Sequence, residues 1–396
     1  MQNTPLLDSE TSIARYDGII STISRFSGKA PINELTRRFE KILNVNPWIT
    51  STLISKIDDK IQCQYKEDIT DVSPWFTIYN IRDLLNHNDT IDKLLEVIAK
   101  GEKRELLDEL YLLPTEQCIN TDAKLVKFSV VVDEENNEFI IIFSMNHIIA
   151  DGASYYKLLN SISFDEDIPC LNFERKQDFT RLGFEKNHIM GSKKRKLHFF
   201  NKNINLDLIG EIKTRENSIS PDDWISHHDI IASMFFDAVK SDVSIYPVNA
   251  RPHVDYLNQL DIGNYIKPIV FKAGNSIGPK GIRRALNKFK QNPEDNESCK
   301  NIAVHNSLGP KESFIENSDS KAVLTSWVQS YKQLYLGDDC SYRFHIPLKP
   351  SYLHGESVGE IDHLAILFCF NSTTWKLVGM TSKPEWLDEH PLFAKI

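Results

Sequence analysis

The residues best suited to chemistry lie in the heptapeptide Asn146-His147-Ile148-Ile149-Ala150-Asp151-Gly152. Histidine is the side chain whose ordinary pKa, about 6.5, lets it take up a proton near neutrality. Placed beside an acceptor it is a general base, typically worth about 10²- to 10⁴-fold in rate. Here it follows a strand over 138–145 whose apolar run is 139–143, and helical spacing resumes at Tyr155, Leu158, Leu159 and Ile162. A histidine at such a strand-to-helix junction can face a cleft. Asp151 has two readings from spacing: a partner that orients His147, or a carboxylate at the helix start that satisfies free backbone amides. Gly152 allows a sharp turn or a close approach of the backbone to a ligand.

Other clusters carry less. Ser226-His227-His228-Asp229 looks like a second motif, but Ser226 and Asp229 stand at capping-box spacing before an apolar run, with Asp in place of the usual Glu. It is assigned no chemistry. Lys193-Lys194-Arg195-Lys196 and the group Lys280, Arg283 and Arg284 are the basic clusters, suited either to phosphates or to water. The 6 cysteines are scattered, with no CxxC pair, so neither a zinc site nor a disulfide framework is expected.

Positioning His147 requires a hairpin. Strands over 124–132 and 138–145 are expected to pair across a polar turn, the second running straight into the heptapeptide. Upstream, the β-branched alternation at 19–26 predicts a strand. Ile32, Leu35, Phe39, Ile42 and Leu43 share one face of a helix that ends before Pro47. Short strands at 50–57 and 60–65, joined by an Asp58-Asp59 turn, and a helix over 91–110 follow. The charged stretch 165–200 reads as a connector between lobes. Beyond it the pattern predicts helices at 227–239 and 280–290, strands at 244–249 and 321–327, a surface loop at 291–319, and a final hairpin of 364–370 with 375–380.

The heptapeptide resembles the HHxxxDG motif of the chloramphenicol acetyltransferase-like superfamily, which includes condensation domains, alcohol acetyltransferases, phthiocerol-type acyltransferases and plant BAHD enzymes. Asn146 stands where that motif has its first histidine, and His147 matches the second, the superfamily's base. Pro247-Val248-Asn249-Ala250-Arg251-Pro252, followed by Asp261-Ile262-Gly263-Asn264, resembles the strand, arginine and Gly-Asn segment of the second lobe. Leu324-Thr325-Ser326-Trp327 resembles the TSW strand of BAHD-like members. The DFGWG of BAHD enzymes is absent, Tyr335-Leu336-Gly337-Asp338-Asp339 keeping only its glycine.

The resemblance implies an α/β fold of two lobes, 1–170 and 171–396, each a mixed sheet flanked by helices, with the active site at their interface. It implies His147 as general base and Asp151 as the structural partner of an arginine, with Arg251 the first choice and Arg15 the second. A hydroxyl of the TSW strand would stabilise the oxyanion, Ser326 being chosen over Thr325, which faces the other way. Gly152 and Asn264 are expected to line the tunnel for a pantetheine arm, and Arg283, Arg284 or the lysine clusters to hold coenzyme A phosphates. Acyl-coenzyme A would be a co-substrate, with no bound cofactor, and the partner a small hydroxyl or amine acceptor. The alternatives are a condensation-type enzyme fed by an acyl carrier protein, and a catalytically silent docking module of the same fold.

Bulk properties suggest a folded, soluble chain. At 396 residues the chain is long for one core, so two lobes are expected. A net charge of −9 argues against nucleic acid, whose phosphates favour a basic surface. Asp8, Glu10 and Asp17 break up the opening segment, so no targeting peptide is expected, and no apolar run is long enough for a membrane span. The expected location is the cytoplasm.

Overall fold

The structure, a computed structural model, describes residues 1–396 apart from 14–17, 56–59, 70, 87, 101–108, 180–195, 221–222, 273–276, 294–319, 349–360 and 395–396. Arg15, the 58–59 turn, Lys193 to Arg195 and most of the 291–319 loop therefore lie outside the described residues, as does 101–108 of the helix expected at 91–110.

A five-stranded sheet organises the first lobe. Its order is Cys340–Pro347 (β12), Ile19–Gly28 (β2), Glu138–Asn146 (β7), Val126–Asp133 (β6) and Phe76–Asn80 (β5). The expected hairpin is present, Val126 pairing with Met145 and Asp133 with Glu138. β7 lies in the middle of the sheet, which is why its sequence is continuously apolar rather than alternating. The helix Ile32–Val45 lays Leu35, Phe39, Ile42 and Leu43 on this sheet. Phe39 stacks on Phe76 and Phe128, each at 5.3 Å. Beside it a small sheet joins Gln2–Pro5 (β1), Ile61–Tyr65 (β4) and Thr52–Ser55 (β3).

The second lobe has a six-stranded mixed sheet in the order Ile266–Lys272 (β10), Val243–Asn249 (β9), Lys321–Ser326 (β11), His363–Cys369 (β13), Trp375–Thr381 (β14) and His198–Asn203 (β8). Its separate core gathers Phe235, Phe271, Ile282, Phe289, Leu324, Leu367 and Leu377 under the helices His227–Val239 and Gly278–Gln291. Burying such side chains is worth about 1.5–3 kcal/mol each.

Two differences from the sequence reading matter for the site. The cut at 170 is not clean, because β12 crosses back from the second half and pairs with β2, from Cys340 opposite Gly28 to Pro347 opposite Thr22. The stretch read as a connector is also structural at its start, since Leu171, Phe173, Arg175 and Phe179 are all buried. Strands β1, β5, β8, β10 and β12 and the helix Leu206–Ile219 are not among the elements that the sequence pattern predicts.

Candidate active site at the lobe junction

His147 is the first residue after β7. The last pair of the β2–β7 ladder joins Ile19 to Asn146. The His147 amide then donates to Gly18 O at 2.5 Å. Residues 147–149 form a turn, and Gly152–Asn160 continues as helix, so the partly exposed imidazole stands between strand end and helix start. Asn146, fully buried, shapes that turn: its Oδ1 accepts from Thr115 Oγ1 at 2.9 Å and from Ile148 N at 3.1 Å.

Asp151 fulfils the helix-start reading of its spacing and also takes the arginine partner that the resemblance implies. As N-cap its Oδ1 accepts from Ser154 N at 2.9 Å, while Oδ2 accepts from Arg251 Nη1 at 2.8 Å and Tyr265 N at 3.1 Å. Arg251 uses its whole fork, giving Nε to Asp261 O at 2.8 Å and Nη2 to Ser154 Oγ at 2.8 Å and Gly263 O at 2.9 Å. Both side chains are buried. Burial alone would raise the Asp151 carboxyl, but the Arg251 charge and the hydrogen bonds outweigh it and hold the group below the usual carboxylate range.

The end of β11 reaches the same loop. A Cβ at Gly152 would lie 2.8 Å from Trp327 Nε1, so the indole occupies the space that the glycine leaves open. One residue back, the Ser326 hydroxyl is buried and has no hydrogen-bond partner among the described residues. Beneath them Tyr156 packs edge-on to Trp327 at 5.7 Å, and its hydroxyl lies 2.9 Å from Nε2 of buried His345 on β12.

No protein-family model matches the sequence, and a search of curated proteins finds no match. Solved structures do match along nearly the whole chain. TRI101 of F. sporotrichioides, complexed with coenzyme A and T-2, aligns with a TM-score of 0.68 at 12% identity, covering 100% of this chain and 99% of that one. Polyketide synthase associated protein 5 from Mycobacterium tuberculosis aligns at 0.62 with 11% identity, covering 97% and 94%. The first condensation domain of the CDA synthetase aligns at 0.59 with 9% identity, covering 97% and 91%. The chain has the chloramphenicol acetyltransferase-like fold.

On the chloramphenicol acetyltransferase-like fold the sequence-chosen residues separate into those that meet and those that do not. His147, Asp151, Gly152, Arg251 and Asn264 converge on one loop, and Trp327 brings the Ser326 end of β11 to it. Three expectations need correction. Gly152 does not line a tunnel, because it is buried under Trp327. Asn264 is fully buried and uses its amide to donate to His147 O at 2.7 Å. Arg283 is no phosphate ligand: it is buried, and its Nε and Nη2 donate to Asp229 Oδ2 at 2.9 and 2.5 Å. Nearby, Lys280 Nζ donates to Ser220 Oγ at 3.0 Å, while Arg284 and Lys196 are exposed. As expected from its spacing, Ser226-His227-His228-Asp229 is a capping box.

Sequence reasoning missed Glu10 and Arg175, which meet at the same loop as a fully buried ion pair. Each stands in a charged stretch where a solvated side chain is the ordinary expectation, so composition carried no signal of burial. No helix among the described residues is long and apolar enough to cross a membrane.

Proposed function

We propose that the chain is an acyltransferase that moves an acyl group from a thioester, acyl-coenzyme A, to a hydroxyl or amine, with His147 as general base. The observation that carries this reading is the bond from Arg251 to Asp151 across the lobes, which fixes the loop bearing a partly exposed histidine. His147 takes the acceptor proton as the acceptor's lone pair attacks the thioester carbonyl. The carbonyl electrons move onto oxygen, where the unpartnered Ser326 hydroxyl is suited to donate a hydrogen bond. Collapse re-forms the carbonyl, breaks the carbon–sulfur bond and returns the proton from His147 to the departing thiolate. Asp151 and Arg251 act by holding the loop and touch no reacting atom. Arg284 and Lys196, exposed cations, remain the candidates for coenzyme A phosphates.

The coenzyme A-bound neighbour, which aligns along the whole of this chain, supports acyl-coenzyme A as the donor. The likeness to a condensation domain supports a second reading, in which an acyl carrier protein delivers the thioester.

The test is thiol release from a panel of acyl-coenzyme A donors with pooled alcohols and amines, comparing wild type with His147→Ala and Ser326→Ala. Acceptor-dependent release that disappears in His147→Ala is the expected result. Release only from an acylated carrier protein selects the second reading. No transfer from either donor class overturns both.

A further inference from the structure

Glu10 and Arg175 are remote in sequence from His147, yet most of the hydrogen bonds they make bear on its loop or on what touches it, besides one from Leu7 N to Glu10 Oε2 at 2.9 Å at the start of Glu10's own helix. Arg175 Nε donates to Glu10 Oε2 at 2.8 Å, and neither side chain has any exposure. The guanidinium then gives Nη2 to Ile149 O at 2.7 Å and Nη1 to Ile262 O at 2.8 Å and Phe173 O at 2.9 Å. Glu10 Oε1 accepts from both the backbone and the side-chain amide of Asn264, at 2.8 and 3.2 Å. That same Asn264 amide donates to His147 O at 2.7 Å and lies 3.4 Å from Ile148 O. One carboxylate on the helix Asp8–Ile13 therefore holds, through one amide and one guanidinium, the carbonyls of His147 and Ile149.

Stability alone is a weak reason for such a network. A buried ion pair carries a desolvation penalty on each ion, and apolar replacements are often as stable. Directional bonds to the carbonyls of a turn do something apolar side chains cannot: they fix the backbone from which the imidazole projects. The fit is tight as well. Gly263 has φ +149, and a Cβ there would stand 3.2 Å from both Arg175 Nε and Glu10 Oε1.

We infer that Glu10, Arg175 and Asn264 are positioning residues for His147, acting beside the Asp151–Arg251 pair, which anchors the helix end of the loop and holds the residues on either side of Asn264. The chain's first helix is thus part of the site. This inference rests on the proposed role of His147 as base, and its test separates the two.

Two variants are made in the full chain: Asn264→Ala, which removes the tether on His147 O and leaves the ion pair, and the double variant Glu10→Gln/Arg175→Met, which leaves no buried charge unmatched. Misplacing a catalytic group by about 1 Å costs on the order of 10²-fold. Each folded variant should therefore lose about 10- to 100-fold in kcat, with KM for donor and acceptor held within about twofold. Long-range proton–nitrogen spectra, with the His147 signals identified by their loss in His147→Gln, should show those signals moved in both variants. Wild-type kcat and unmoved His147 signals in a folded variant overturn the inference. So does failure of both to fold, which would make the network purely structural. Moved signals in a chain whose wild type transfers no acyl group uphold positioning and overturn the enzymatic reading.

Discussion

Two segments of this chain set histidine and aspartate at the start of a helix, and chemistry is proposed for only one. In both, the aspartate is buried and meets an arginine: Arg251 Nη1 reaches Asp151 at 2.8 Å, and Arg283 Nη2 reaches Asp229 at 2.5 Å. The difference lies in where the histidine falls relative to the cap. His147 precedes the N-cap Asp151 and sits in a turn outside any regular element. His227 and His228 follow the N-cap Ser226, inside the first helical turn, with rings against Trp375 at 5.7 and 5.4 Å. Burial lowers the pKa of both. The arginines differ too, since Arg251 joins two lobes while Arg283 joins two helices of one lobe.

The largest effect expected from this contrast is on turnover. His147→Ala should cost about 10²- to 10⁴-fold in acyl transfer. His228→Ala, measured per folded molecule, should stay within about twofold of wild type. Equal losses in the two variants would erase the distinction. Next come the arginines. Breaking a buried pair by removing one partner costs about 3–5 kcal/mol, so Arg251→Met and Arg283→Met should both lower stability by that order in urea titrations. The folded fraction of Arg283→Met should keep wild-type kcat, whereas that of Arg251→Met should lose activity because the loop is freed. If Arg251→Met retains full kcat, the interlobe pair is not what holds the site.

A smaller effect tests the close approach at the helix start. Gly152→Ala places a methyl 2.8 Å from Trp327 Nε1 on a backbone that needs no unusual φ. The indole must shift, at about 1–3 kcal/mol as in other overpacked cores. Thermal unfolding and Trp327 fluorescence should both change, and unaltered values would show that the contact is slack.

These contrasts also mark what was readable beforehand. The β6–β7 hairpin, the helix Ile32–Val45 and the capping box at Ser226 are local, and residue period and cap chemistry state them directly. The fold class was legible through the heptapeptide, the Arg251 segment and Thr325-Ser326-Trp327, which lie far apart in sequence yet meet at one junction. β12 was not legible, because its alternation across Cys340–Pro347 is intermixed with polar residues and its partner β2 lies about 300 positions upstream. Arg175 was hidden for a different reason. A buried arginine differs from a solvated one only in having carbonyls and a carboxylate around it, and those come from residues 10, 149, 173 and 262.

The last contrast sets His147 against a histidine that the fold keeps neutral. His345 is buried where β12 crosses into the first lobe, its Nδ1 3.0 Å from Ser24 Oγ and its Nε2 2.9 Å from Tyr156 OH. Tyr331 stacks on its ring at 4.8 Å. Burial pushes its pKa down to about 3. Below about pH 6.5 the unfolded chain binds a proton at this residue while the folded chain does not. The His345 contribution is therefore fully present above pH 6.5 and is lost on acidification toward pH 3, at about 1.4 kcal/mol per pH unit. Asp151, held below the carboxylate range, adds its own loss only at more acidic pH. His345→Gln cannot ionise, so its stability measured by urea titration between pH 6.5 and 4.5 should be flatter than wild type by about that slope. Parallel curves would mean that His345 takes up its proton inside the fold, and that the crossover strand is less tightly sealed than the hydrogen bonds to Ser24 and Tyr156 imply.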